Sequence, residues 1–246
     1  MKVSVILPAA GLGTRMARPS SSAAAPTADN KPGRKQFLIL DGTPVLIHTI
    51  RKFLHCPSVS EIIVALRQED IAWVQSLIDD LKPTKPVHLT EGGDSRQASV
   101  KNALKVLAPD TALVAVHDAV RPFVDPELVE QVIAEAARTG AAIVGIVPVD
   151  TVKQVHKHTV RATLQREHLI LTQTPQVFTA ALLREAFERA DADEFVGTDE
   201  SSLVERLEKV EVSVVAGSHR NIKITKPADL DLAKLYLQEE TQGAAR

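Results

Sequence analysis

Three short stretches carry residues whose types and spacing suit a polyanion. The first, PAAGLGTRM, runs from residue 8 to residue 16. Gly11 and Gly13 follow an apolar run directly, and glycine there lets backbone N–H groups approach an anion closely. Arg15 and, twenty residues later, Lys35 add two cations that can surround a triphosphate. The stretch is not a dinucleotide fingerprint, because Met16 stands three residues after Gly13, and no Gly-Lys-Ser/Thr follows to make a Walker loop. A tight strand–helix turn with a solvated arginine accounts for the same residues.

The second stretch is Glu91-Gly92-Gly93-Asp94-Ser95-Arg96-Gln97-Ala98-Ser99. Asp94 or Ser95 can cap the helix that follows. The glycine pair also brings backbone close to whatever the helix N-terminus faces. The third is His117-Asp118-Ala119-Val120-Arg121-Pro122, directly after an apolar strand. A carboxylate at that place suits a Mg²⁺-nucleotide and an arginine suits a phosphate, while a structural Asp118–Arg121 pair across a turn explains both. Further polar signals are Asp150-Thr151-Val152-Lys153, Arg166, Thr172-Gln173-Thr174-Pro175-Gln176, Gly197-Thr198-Asp199-Glu200 and Asn221-Ile222-Lys223-Ile224-Thr225. Lys223 sits between apolar residues, which is unusual for a purely solvated lysine. Asp199 and Glu200 open a helix, so the helix dipole alone can explain them. His156 and His158 share a strand face but lack a third ligand and are read as surface residues.

Those stretches need a scaffold, and the rest of the chain predicts one. Apolar runs at 3–8, 60–66, 87–90, 112–116 and 141–147 read as strands. Amphipathic stretches at 44–54, 69–81, 95–107 and 126–138 read as helices, the last opened by proline in its first turn. Continuous apolar strands separated by helices argue for an α/β fold with a mostly parallel sheet covered on both faces. In an open parallel sheet, ligands sit at the carboxyl ends of the strands, where all three stretches fall. Residues 151–165 alternate β-branched and polar residues and predict a hairpin with two solvated faces, better suited to a neighbouring subunit than to a core. Helices at 179–190, 199–207 and 227–239, with strands near 211–215 and 221–224, complete the expectation. No internal repeat is present.

Composition excludes several classes. The 246 residues suit one α/β domain or two small ones. A formal net charge of −2 gives no global basic field for nucleic acid, so an anion site must be built locally. Aromatic residues make up only 3%, too few for a stacking platform, so a nucleobase would be read by backbone groups and small hydroxyls. The lone cysteine, Cys56, forms no intrachain disulfide, which permits a cytoplasmic setting. No window reaches the ~18 apolar residues of a membrane span, and the N-terminus lacks a signal-peptide pattern.

Taken in order, PAAGLGTRM, KQFLILDGTPVLIHTI, EGGDSRQASV, VHDAVRPF, PVDTVK, TQTPQVF, TDESSLVE and NIKITKPADL resemble one family across nearly the whole chain. It is the cytidylyltransferases that join CTP to 2-C-methyl-D-erythritol 4-phosphate in the non-mevalonate isoprenoid pathway. The resemblance implies a Rossmann-like nucleotidyltransferase fold as a single domain over residues 1–246. It also implies a β-hairpin arm at about 151–165 exchanged across a homodimer, and Mg²⁺ dependence. By that likeness Ala9, Ala10, Gly11 and Gly13 hold the nucleotide, and Arg15 and Lys35 stabilise charge on the α-phosphate. Gly92, Gly93, Asp94 and Ser99 lie near cytosine and ribose. Asp118 and Arg121 line the sugar-phosphate region, with Asp118 as the metal ligand. Thr151, Arg166, Thr174 and Lys223 orient the methylerythritol phosphate.

One departure stands out. In that family a Pro-Lys-Gln sequence usually follows the loop arginine closely, whereas here Lys35 is twenty residues from Arg15 and Arg34 replaces the proline. Lys31 and Lys35 are rival phosphate lysines, and Lys35 is chosen because Gln36-Phe37-Leu38 continues the pattern. Residues 17–32 are expected to form a mobile lid rather than an interdomain linker, at a closure cost that grows only logarithmically with length. The chain stops soon after NIKITKPADL, so no second pathway enzyme is expected on it. The alternatives are a ribitol-5-phosphate cytidylyltransferase, a relative using GTP or UTP, and a CTP-binding regulatory protein without turnover.

Overall fold

The computed structural model describes residues 1–11 and 34–244. The expectations for Gly13, Arg15, Lys31 and a lid over 17–32 lie outside the described residues. The chain opens with β1 (Lys2–Pro8). After a 3₁₀ turn at Lys35–Phe37 come the short strands β2 (Ile39–Leu40) and β3 (Thr43–Pro44), then α1 (Val45–Leu54). Next follow β4 (Val59–Leu66), α2 (Gln68–Leu81), β5 (Val87–Glu91), α3 (Arg96–Lys105) and β6 (Thr111–Val116). The succession continues with α4 (Pro126–Thr139), β7 (Ala141–Ile146), β8 (Lys153–His156) and β9 (Thr159–Thr163). It ends with β10 (Leu171–Thr179), α5 (Ala180–Ala192), α6 (Glu200–Glu205), β11 (Ser213–Ala216) and α7 (Pro227–Ala244).

Among the described residues seven strands form one sheet in the order β11-β7-β10-β6-β1-β4-β5. Pairing is parallel from β6 through β5 and between β11 and β7, while β10 runs antiparallel to both its neighbours. Alternation along β1 divides the core. Val3, Val5 and Leu7 face α1, α2 and α4, whereas Ile6 faces α3, α5 and α6. Both faces are covered, which is why these strands read as unbroken apolar runs. Shaving a fully buried side chain such as Ile6 to alanine would cost roughly 2–5 kcal/mol. A smaller apolar cluster, including Leu38, Phe123, Ile224 and Leu230, seats α7 beneath the β2–β3 corner.

Local chemistry sets where the helices begin. Asp125 caps α4 by accepting from the Glu127 N–H, Pro126 opens its first turn, and Gly140 ends it at φ 92°. Ser95, Thr179 and Asp199 cap α3, α5 and α6 in the same way. The hairpin expected at 151–165 is β8–β9, with both strands almost wholly exposed.

Two expectations need correction. Residues 221–224 form no strand, because Arg121 Nη1 donates to the Asn221 carbonyl at 2.7 Å and the Ile224 N–H pairs with the Val120 carbonyl at 2.9 Å. These ties turn the segment toward the β6 exit instead of along a sheet edge. The central strand β10 was not expected as an element. Its Pro175 argues against a sheet interior, and the buried polar residues Gln173, Thr174 and Gln176 mask its core face.

Candidate active site

A cavity of about 540 Å³ opens at the carboxyl ends of β1, β5 and β6. That size suits a small-molecule site. Its first wall is the exit from β1, lined by Ala9, Ala10 and Gly11, with Lys35 and Gln36 beside them. Gln36 fixes this pair of segments, because its amide donates to the carbonyls of Ala9 at 2.6 Å and Gly11 at 3.2 Å. Phe37 meets the edge of Trp73 on α2 at 4.9 Å, and the buried Arg34 guanidinium pairs with Asp70 and, at 2.8 Å, with Glu69. Arg34, Gln36 and Phe37 are all buried, so the turn that carries Lys35 is anchored on both sides of it.

The second wall is the turn between β5 and α3. A Cβ on Gly92 would lie 2.5 Å from Ala10 Cβ, and one on Gly93 would lie 2.5 Å from Ala98 Cβ. Both positions therefore require glycine for close approach. Ser95 caps α3 by accepting from the Ala98 N–H at 3.0 Å, and Ser99 Oγ accepts from the Gly93 N–H at 3.1 Å while donating to the Ser95 carbonyl at 2.8 Å. Gly93, Asp94, Ser95 and Ser99 line the cavity, and Gly92 packs behind Ala10.

The third wall is a charge cluster at the exit from β6. Asp118 is only 6% exposed and meets three cations. Arg96 Nε donates to its Oδ1 at 3.1 Å, and its Oδ2 takes Lys223 Nζ at 2.9 Å and Arg121 Nε at 3.3 Å. Burial opposes ionisation of Asp118, yet Arg96, Lys223 and Arg121 together hold its carboxyl far below the usual carboxylate range. Arg96 is itself gripped from behind, with Nη1 donating to both oxygens of the buried Glu200 at 2.7 and 2.8 Å. Two carboxylates against three cations leave a positive excess, and Lys35 and Arg67 line the same cavity. A polyanion is the ligand such a wall attracts.

The cavity thus unites Ala9, Ala10, Gly11, Lys35, Gly93, Asp94, Ser99, Asp118 and Lys223 from the sequence-predicted set. Arg121 and Thr174 stand behind Asp118 rather than on the wall, the first bonded to Asp118 and to the Asn221 carbonyl, the second accepting from the Asp118 N–H at 3.1 Å. The Asp118–Arg121 pair across a turn is therefore real, and it is part of the cluster. Thr151 and Arg166 are exposed residues flanking the hairpin, outside the cavity lining, with Arg166 bonded to the Val149 carbonyl.

Sequence reasoning gave no role to Arg96, Glu200, Gln36 or Arg67. A signal for Arg96 existed, since a cation in the first turn of a helix opposes the helix dipole and calls for another reason. Glu200 was hidden because a carboxylate in a first turn needs no such reason. Among the described residues no histidine or cysteine lines the cavity. Cys56 is buried in the core and burial pushes its thiol up to about 12.

Comparison with known proteins agrees with this geometry. Residues 3–239 match the family model for IspD, 2-C-methyl-D-erythritol 4-phosphate cytidylyltransferase. The chain is 57% identical over 244 residues to the protein of that name from Solibacter usitatus, covering 98% of this chain and 97% of that one. It is 48% identical to its counterpart from Acidobacterium capsulatum, covering 98% and 99%. A crystal structure of 4-diphosphocytidyl-2C-methyl-D-erythritol synthase from Anaerococcus prevotii superposes with a TM-score of 0.81 at 31% identity, covering 96% and 98%. With a cation-rich cavity at the strand ends and this likeness along nearly the whole chain, the chain belongs to the 2-C-methyl-D-erythritol 4-phosphate cytidylyltransferase family.

Proposed function

We propose that the cavity transfers CMP from CTP to 2-C-methyl-D-erythritol 4-phosphate, releasing pyrophosphate. An oxygen of the 4-phosphate forms a bond to the α-phosphorus of CTP. The bond from that phosphorus to the bridging oxygen breaks, and pyrophosphate leaves with the electron pair. The attacking group is already an anion at neutral pH, so no side-chain base is needed, and catalysis is positioning plus charge stabilisation. The observation that carries this reading is the gathering of Arg96 and Lys223 on one fixed carboxylate, in a cavity that Lys35 also lines.

In this reading the backbone at Ala9, Ala10 and Gly11 receives the triphosphate, with Gly13 and Arg15 continuing that loop. Lys35 stabilises the charge growing on the α-phosphate. Gly92, Gly93, Asp94 and Ser99 hold the nucleoside, with the glycines giving backbone access. Lys223 and Arg96 face the 4-phosphate, with Asp118 and Arg121 keeping them apart and oriented. The whole chain acts as one domain, a reading supported by a sheet that draws strands from Lys2 to Ala216.

Among the described residues no group of three acidic, histidine or cysteine side chains could hold a metal ion. A magnesium ion would arrive with the triphosphate; Asp118, the carboxylate expected to hold it, has both oxygens engaged by Arg96, Lys223 and Arg121 and does not fit that role as it stands. Such an ion would neutralise phosphate charge when bound.

Thr151 and Arg166 belong to the arm, and a homodimer with exchanged arms would bring them to a neighbour's cavity. Supporting this, Val155 and Val160 on the hairpin are 56% and 57% exposed, and a two-stranded hairpin is marginal alone. Among the described residues no helix is long and apolar enough to cross a membrane. A cytoplasmic setting completes the reading, since CTP would be drawn from there.

The test is incubation with CTP, Mg²⁺ and the methylerythritol phosphate, following pyrophosphate, beside the same assay with ribitol 5-phosphate. A higher kcat/KM for the methylerythritol phosphate is expected. CTP binding without turnover, or a preference for ribitol 5-phosphate, would overturn the reading.

A further inference from the structure

Arg67 lines the cavity, and the reaction above gives it no task. The sheet decides where it stands. β4 lies between β1 and β5, with Pro8 beside Ala65 and Leu66 beside Glu91. The Ala9 N–H donates to the Ala65 carbonyl at 2.7 Å, and the Gly92 N–H donates to the Leu66 carbonyl at 2.6 Å. These two bonds draw the β1 exit and the turn after β5 onto the end of β4. Arg67 is the next residue, so it rises between the β1 exit, proposed to receive the triphosphate, and the Gly92-Gly93 turn, proposed to hold the nucleoside. The Asp118 cluster follows β6, on the other side of β1.

The Arg67 side chain is held at one point. Its Nε donates to Glu69 Oε1 at 2.9 Å. The same oxygen accepts from Arg34 Nη2 at 2.8 Å, while Arg34 Nη1 reaches the wholly buried Asp70. Arg34 is itself buried, so Glu69 is tied to a fixed point although its own side chain is exposed. Hydrogen bonds from Arg67 and Arg34 hold the Glu69 carboxyl below the usual carboxylate range, which keeps it ionised at neutral pH.

A guanidinium carries five N–H donors, one on Nε and four on its two Nη atoms. Glu69 takes the first. The four on Nη1 and Nη2 have no partner among the described residues. The Arg67 side chain is 35% exposed, so this edge of the fork is not packed away. Arg34, Lys35 and Arg67 stand here against Glu69 and Asp70, one cation in excess. A flat pair of N–H groups at that place matches two oxygens of one phosphate.

We infer that Arg67 is a further nucleotide-binding residue, which donates from Nη1 and Nη2 to a phosphate of the triphosphate while Glu69 fixes its orientation. It serves the nucleotide side of the cavity and takes no part in holding the polyol phosphate. The inference rests on the proposed reading of the cavity as a CTP site.

Calorimetry on the full-length protein, with CTP in the presence of Mg²⁺ and separately with cytidine, tests it beside steady-state kinetics. Arg67→Ala should raise Kd and KM for CTP about tenfold, a charge-assisted hydrogen bond's worth. KM for the polyol phosphate and the affinity for cytidine should change little. Unchanged CTP affinity in that variant, while the unaltered protein binds and turns over CTP, would overturn the inference and leave the proposed reaction standing. An equal loss for cytidine would make Arg67 a contact of the base, and a KM rise confined to the polyol phosphate would place it on the wrong side of the cavity. Either result would sink the inference. Glu69→Gln should weaken CTP binding when Arg67 is present and hardly at all once Arg67 is alanine. Tighter binding in Glu69→Gln would show a carboxylate that merely repels the ligand and would end its orienting role. An unaltered protein that binds no CTP would remove the proposed reaction and this inference together.

Discussion

The turn at Asp118 and the arm formed by β8 and β9 were both expected to supply residues for the polyol phosphate, and they are built in opposite ways. At the turn, both carboxylate oxygens, the backbone N–H and carbonyl, and the flanking His117 and Arg121 are engaged by named partners. On the arm, nearly every side chain is exposed, and the hairpin's main internal tie is its own antiparallel ladder. A group that must hold opposing charges at fixed separations is locked by its own chain. A group that reaches outward gets its rigidity from whatever it docks against. The difference teaches that one set of contacts is complete within a single copy, while in the proposed reading the other is completed by a neighbour.

The largest blow to that contrast would come at its rigid end. Asp118→Asn should lower kcat/KM by about a thousandfold, near 4 kcal/mol, since three cations lose the charge that arranges them. Steady-state kinetics on a variant with an intact circular dichroism spectrum checks this, and near-normal kcat would show that the cluster is only structural. Lys35→Ala and Lys223→Ala should each cost on the order of a hundredfold in kcat, because each removes one donor from the reacting phosphates. Next comes the exposed end. Arg166→Ala should reduce kcat/KM by roughly tenfold while leaving the unfolding midpoint where it was, since its partners are the Val149 carbonyl and the exposed Glu167. Val160→Asp should shift sedimentation toward a monomer and lose activity together. A monomer that retains full activity would end the comparison. As a control, Lys209→Ala breaks only an exposed pair with Glu185 and should leave kcat/KM unchanged.

Much of this was legible from residue order. The parallel strands announced themselves as apolar runs, because burial on both faces leaves no alternation to interpret. The glycine pair at Gly92-Gly93 pointed to a close backbone approach, and a Cβ at either place would indeed collide. Other features were hidden for physical reasons. β10 escaped notice because its buried polar side chains are satisfied by distant groups, such as the Ser218 carbonyl for Gln173 and Asp199 for Gln176, and long-range hydrogen bonds leave no local pattern. Arg96 and Glu200 are 104 residues apart, so their pairing could not be read from spacing. Lys223 stands out in the sequence as an odd lysine, and its segment is irregular, because contact with Asp118 and not strand pairing dictates its path.

The contact between Phe37 and Trp73 has a practical consequence. The chain contains one tryptophan, and it touches the turn that carries Lys35. Its emission therefore reports on a single place, with no background from other indoles. Titrating CTP with Mg²⁺ should change the intensity or wavelength of that emission as the Lys35 turn takes up its ligand. Phe37→Leu should blunt the optical response more than it weakens binding measured by calorimetry. The molecule carries its own dye behind the turn that lines the pocket, and the occupancy of that pocket should be open to following by light without a label.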